Sequence, residues 1–145
     1  MLKRLMGTSN DVSFTILRLV LGVVFFAHGA QKMLGWFGGF GFHGTMGAFS
    51  QMGMPAALAF LIICTEFLGG LGLIVGLLTR IAALGITGLM IGAILMVHLA
   101  NGFFMNWMGT QKGEGFEYHL LVIAMAVVLV LRGAGAFSAD RVLSE

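Results

Sequence analysis

At 145 residues the chain has room for one domain, and I-V-L-F-rich composition sets its solvent: 59% of residues are apolar and only 10% charged, against roughly 25% charged in a soluble domain. So few charges cannot cover that much apolar surface in water, whereas lipid makes such a composition stable. A net charge of +2 without Lys/Arg clusters argues against nucleic acid as a partner, and the lone cysteine, Cys64, excludes an intrachain disulfide and a cysteine-built metal cluster.

A hydrocarbon layer of about 30 Å asks for roughly 20 apolar residues per helix. The first span is expected over 12–34, behind a Ser9-Asn10-Asp11 start signal, and it carries Arg18, His28 and Lys32. It reads as a retained span, because its apolar part is long, no Ala-x-Ala site follows and further spans do. Residues 35–54 are Gly- and aromatic-rich without a single charge, which predicts an interfacial or re-entrant loop, with Trp36 as a belt residue and a short helix over about 45–52. The second span is expected over 55–78, opened by Pro55 and holding Glu66 as its only charge. The third covers 81–100 with His98 near its end. A loop with Trp107, Lys112 and Glu114 leads to the fourth, about 116–132, which begins with Glu117 and His119. The chain therefore reads as a single all-α domain over 1–145, an integral membrane four-helix bundle. Lys3, Arg4, Arg80, Arg132 and Arg141 all fall at one side, which predicts both termini in the cytoplasm of a multi-pass protein.

Ionisable groups inside a span are costly, and each is a functional candidate by default. At 100° per residue, Arg18, His28 and Lys32 lie within an arc of roughly 80°, which predicts one polar side facing the bundle interior. Counting about 1.5 Å per residue puts Arg18 roughly 9 Å in, Glu66 roughly 18 Å, Glu117 and His119 roughly 20–22 Å, His28 roughly 24 Å and His98 roughly 27 Å. That predicts one polar site in the outer half, with Arg18 apart from it and Arg18 or His28 as the partner of Glu66. The two cations, Arg18 and Lys32, balance Glu66 and Glu117. The bland reading is that these pairs only fasten helices; the functional one is a pocket for a polar or quinone-like head group. A haem held by His28 and His98, or a metal held by His28, His98, Glu117 and His119, has the right ligand types but no spacing motif. His43 reads as an interfacial histidine and Cys64 as a buried, inert thiol. Gly72-x-x-x-Gly76 and Gly88-x-x-x-Gly92 predict close helix contacts.

The order Arg18, His28-Gly29-x-x-Lys32, Glu66-x-x-Gly69-Gly70, Gly76-Leu77-Leu78-Thr79-Arg80, His98 with Asn101-Gly102-Phe103-Phe104, Glu114-Gly115-Phe116-Glu117-Tyr118 and Gly133-x-Gly135 with Ser138-x-Asp140 resembles the DoxX family of small bacterial membrane proteins. The resemblance implies a four-helix inner-membrane protein with both termini inside. It also implies a link to redox metabolism, through kinship with a quinone-reducing subunit of a thiosulfate:quinone oxidoreductase and with oxidative-stress complexes. The family-like polar positions are Arg18, His28, Lys32, Glu66, Arg80, His98 and Glu117, with no chemical role attached to any.

The expected function is quinone binding, or relay of electrons or thiols to a partner oxidoreductase. His28, Lys32 and His98 would donate to a quinone carbonyl, and Glu66 or Glu117 would relay protons. No flavin, nicotinamide or iron–sulfur motif is present, so electrons would come from another protein. The alternative is a non-catalytic assembly subunit, with small-solute transport third; a homo-oligomer is compatible with each.

Overall fold

A computed structural model describes residues 6–144 of the chain; Lys3 and Arg4, two of the cations used above for orientation, lie outside that range. Among the described residues every regular element is helical. In chain order they are α1 (Val12–Leu34), a 3-10 turn (Trp36–Gly38), α2 (Gly41–Gln51), α3 (Ala56–Val75), α4 (Thr79–Ala93), α5 (Glu117–Arg132) and α6 (Ala139–Ser144). Beyond Ala93, α4 continues as a π-turn over Ile94–His98 and a 3-10 turn over Leu99–Asn101. Three helices, Val12–Leu34, Ala56–Val75 and Thr79–Asn101, are long and apolar enough to cross a membrane. The fourth, α5, has 16 residues, about 24 Å of helix.

The helix boundaries follow from local chemistry. The Asp11 carboxylate accepts from Ser13 N at 2.8 Å and caps the start of α1. Gly35 ends that helix in the left-handed conformation (φ 76), where a residue with Cβ is strained. The expected second span is shorter than 55–78, because Gly76 (φ 72) terminates α3. The chain then turns through Leu78, and α4 restarts at Thr79 rather than at Ile81. The loop helix is longer than expected, beginning at Gly41 instead of near Thr45.

α1, α3, α4 and α5 form a ring in which each packs on the next, and α1 closes it against α5. The apolar centre is made by Leu21 and Phe25 of α1, Leu73 of α3, Ala83, Ile86 and Met90 of α4, and Val122, Ala126 and Leu129 of α5. α2 packs on both α1 and α3, tied down by Thr45 Oγ1 donating to Lys32 O at 3.3 Å.

Of the expected glycines Gly72 faces α4, with Ala82 Cβ 3.9 Å from where its own Cβ would be, but the closest helix contact is made by two others. A Cβ on Gly29 would lie 2.3 Å from Phe67 N, and one on Gly70 would lie 2.3 Å from Phe26 N. Gly29 and Gly70 therefore let the backbones of α1 and α3 touch directly. Gly76 is a helix cap, and the places of Gly88 and Gly92 face open space. A small-residue motif fixes spacing along a helix, but not which face the neighbour takes.

The described ends of the chain meet at one end of the bundle. Ala136 N donates to Asp11 O, Thr8 Oγ1 accepts from Gly135 N at 2.7 Å, and Arg141 hydrogen-bonds the Asn10 side chain.

Candidate functional site

The polar residues resolve into two buried centres and one open groove, instead of a single cluster. The first centre is Arg18, 1% exposed, near the chain ends. Its Nε donates to Ala134 O at 2.9 Å, its Nη1 to Leu73 O and Ile74 O at 2.8 and 2.6 Å, and its Nη2 to Phe137 O at 2.6 Å. The planar guanidinium thus gathers carbonyls from the end of α3 and from the 133–138 segment. Gly76 is buried against it, since a Cβ there would come 3.0 Å from Arg18 Cζ and 2.5 Å from Ser138 Cβ. Asp140, also 1% exposed, completes the arrangement. Its carboxylate accepts from Leu78 N at 2.7 Å and Thr79 N at 2.9 Å, taking up donors that the start of α4 leaves without helical partners. Arg80 serves the opposite pole: it donates to Val130 O and Leu131 O at the end of α5 and to Gly7 O. Arg18, Arg80 and Asp140 bond backbone groups and so tie helix ends together.

The second centre lies toward the other end. Lys32 Nζ and Glu66 Oε2 form an ion pair at 2.5 Å, with Glu66 6% exposed and the Lys32 side chain 25% exposed. The expected partner, Arg18 or His28, is thus replaced by Lys32. The cause is the crossing of α1 and α3 at Gly29, which sets Glu66 beside the last turn of α1. Glu66 also lies within electrostatic range of the Tyr118 hydroxyl. Next to Tyr118, His119 is buried with its Nδ1 unpartnered, and its ring centroid is 4.1 Å from that of His98. His98 ends the π-turn, a local register change of the kind that re-aims a side chain. Its Nδ1 is 2.8 Å from Glu114 O; a carbonyl only accepts, so this nitrogen carries the proton. Glu117 makes no ion pair among the described residues: it accepts from Met105 N at 2.8 Å and pins the 102–116 loop.

His28 departs furthest from expectation. It is exposed, because it stands at the edge of the 80° arc, beyond the stripe that α3 and α5 cover. It lies in an open groove of about 390 Å³ on the side of the bundle, lined by Val23, Val24, Ala27, Gln31 and Phe37. His98 is not among the residues that line this groove; its ring neighbour is His119. Of the four proposed metal ligands only His98 and His119 approach each other, and no group of three or more His, Cys, Asp or Glu with metal-binding placement occurs among the described residues. Cys64 is partly exposed, not buried, and His43 is exposed on α2.

Sequence reasoning passed over Gln31, Tyr118 and Asp140 as site residues. Gln31 had a signal, its i,i+3 relation to His28. Asp140 had none beyond the Ser138-x-Asp140 pattern, since its partners come from a turn 61 residues away.

Among known proteins, the chain is 30% identical over 135 residues to "Putative oxidoreductase CatD" of Bacillus subtilis, covering 93% of this chain and 90% of that one. It is 28% identical over 136 residues to the inner membrane protein YqjF of Escherichia coli, covering 94% and 95%. No solved structure matches. The DoxX family model matches residues 13–99, which span α1 to the end of α4 and include Arg18, His28, Lys32, Glu66 and His98. The chain belongs to the DoxX family.

Proposed function

We propose that this protein is a quinone-binding subunit of bacterial redox metabolism, held in the inner membrane with both termini in the cytoplasm. The observation that carries the reading is the groove at His28. Two hydrogen-bonding side chains, His28 and Gln31, sit in an otherwise apolar trough of about 390 Å³ that opens sideways from the bundle. Its volume falls within the roughly 300–1,000 Å³ of small-molecule sites. A quinone reaches the protein from within the hydrocarbon layer, so a site open to lipid admits both its ring and its tail. A quinone carbonyl accepts hydrogen bonds, and the His28 imidazole and Gln31 amide both supply donors. An imidazole facing lipid is costly without a partner, and a bound carbonyl would supply one. One helical turn beyond His28, Lys32 pairs with the buried Glu66 carboxylate, a group that would exchange protons with a reduced ring. The electrons come from a partner oxidoreductase, since the chain carries no motif for flavin, nicotinamide or iron–sulfur. The name of the Bacillus subtilis relative supports the same class of chemistry.

The test is equilibrium binding of a short-tailed quinone to protein in nanodiscs, with melting temperature measured on the same samples. His28→Ala should weaken binding about tenfold, the equivalent of one net hydrogen bond of about 1.4 kcal/mol, with an unchanged melting temperature because His28 is exposed. Equal affinity in wild type and His28→Ala defeats the assignment. The alternative, a non-catalytic assembly subunit, is favoured by the use of Arg18, Lys32 and Glu66 in joining helices. It would gain if binding and stability fell together.

A further inference from the structure

Apart from Phe37, every residue that lines the His28 groove belongs to α1. Phe37 comes from the 3-10 turn beyond that helix, so it supplies a wall that one helix cannot make alone. It is also the only phenyl ring there, since Val23, Val24 and Ala27 are aliphatic.

The backbone that carries this ring is held in an unusual way. Phe37 stands at φ 52° and ψ 32°, in the left-handed region that bulky L-residues avoid. The turn around it keeps it there. Gly35 and Gly38 both take φ 76°, and Gly39 N donates to Trp36 O at 2.9 Å. Gly39 lies so close to α1 that a Cβ on it would be 2.2 Å from Gln31 O. The chain is thereby folded back on the end of α1, where Gln31 Nε2 donates to Phe37 O at 3.4 Å. The Trp36 ring stands nearly perpendicular to that of Phe37, with centroids 6.3 Å apart. This strain does not serve to bury the Phe37 ring, which is 70% exposed. Strained positions persist where surrounding structure over-determines them, and they gather at ligand clamps. Gln31 adds a link to the groove. Its amide has two N–H donors; one holds the Phe37 carbonyl, and the other is left for a ligand. The side chain that would hold a ligand carbonyl therefore also holds the turn that presents the ring.

We propose that Phe37 is a specificity-determining residue of this groove, stacking on the ring of the bound quinone and favouring a fused two-ring quinone over a single-ring one. The inference rests on the quinone reading. Aromatic faces attract in offset stacks, and with one phenyl wall the gain grows with overlap, which a second fused ring enlarges.

Equilibrium binding to the full chain in nanodiscs tests it, with a naphthoquinone and a benzoquinone bearing the same short tail as probes. The ratio of the two affinities is compared between variants and wild type, so that unequal partitioning into the bilayer cancels. Phe37→Leu keeps an apolar side chain but removes the stack, and should lower the preference for the naphthoquinone about threefold. Phe37→Gly should weaken both quinones while the ligand-free melting temperature holds or rises, because glycine accepts positive φ without strain. His28→Ala removes a hydrogen bond that both quinones use, and should weaken both while leaving the ratio unchanged. If His28→Ala weakens binding but the ratio is the same in wild type and Phe37→Leu, the clamp is overturned and the quinone reading stands. If wild type binds neither quinone, the quinone reading falls and the clamp with it. A parallel fall of melting temperature and binding in Phe37→Gly marks the ring as a packing group and also overturns the proposal.

Discussion

Glu66 is buried and Lys32 is not fully so, and that difference sets what each substitution should do. Glu66→Leu leaves an ammonium that can still turn toward the membrane edge, whereas Lys32→Met strands a carboxylate in the bundle. We expect Lys32→Met to cost more than Glu66→Leu, with the larger loss about 1–3 kcal/mol, and the double substitution to recover part of it because neither charge is then unpaired. Melting temperatures of the four proteins in detergent check this; additive losses would show that the pair is not coupled. Arg18 behaves differently, since its acceptors are carbonyls. Arg18→Lys removes the planar fork that reaches α3 and the 133–138 segment together. It should loosen the C-terminal segment, seen as faster amide exchange at Ala136 and Asp140, whose N–H groups bond Asp11 O and Gly76 O. Unchanged exchange would refute the lock.

At the scale of the elements, α1 and α3 make the closest contact in the bundle. Gly29→Val drives a branched side chain into the Phe67 backbone, 2.3 Å from where its Cβ would be, and no rotamer relieves a clash at Cβ. Folded protein should be lost, checked by recovery of a monodisperse peak in size-exclusion chromatography. Gly88→Ala and Gly92→Ala meet nothing within 4 Å and should be neutral or stabilising, by up to about 1 kcal/mol from helix propensity. If these two destabilise instead, that face of α4 is covered by another copy or partner in the membrane. The π-turn at Ile94–His98 belongs to the same scale: it lets α4 remain apolar toward lipid while His98 reaches His119.

The whole molecule places both described ends together, through Asp11 with Ala136, Thr8 with Gly135 and Asn10 with Arg141. Which side of the membrane they occupy follows from charge. Arg80, Arg132 and Arg141 lie at that end, which predicts a cytoplasmic location. In a Cys64→Ala background, cysteine placed at Asn10 or Leu143 should resist an impermeant reagent in intact cells, and cysteine at Ser50 or Thr110 should react. Labelling of position 10 or 143 would reverse the orientation.

The four bundle helices and their approximate places were legible in the sequence because the bilayer imposes a length on apolar runs, and α1 coincides with its expected span at both ends; the short α6, which no apolar run announces, was not. That Arg18 lies apart from the other polar groups was also legible, since depth along a helix is linear in residue number. The facing of side chains was not. His28 lies 80° from Arg18, and whether that edge is covered depends on where α3 crosses, which Gly29 and Gly70 decide by letting two backbones touch. The same crossing selects Lys32 for Glu66. Helix periodicity gives the angle of a residue about its own axis, but partners belong to the relative placement of two axes. Only tertiary packing supplies that, and it divided one expected polar cluster into a buried ion pair, a histidine pair and an exposed imidazole.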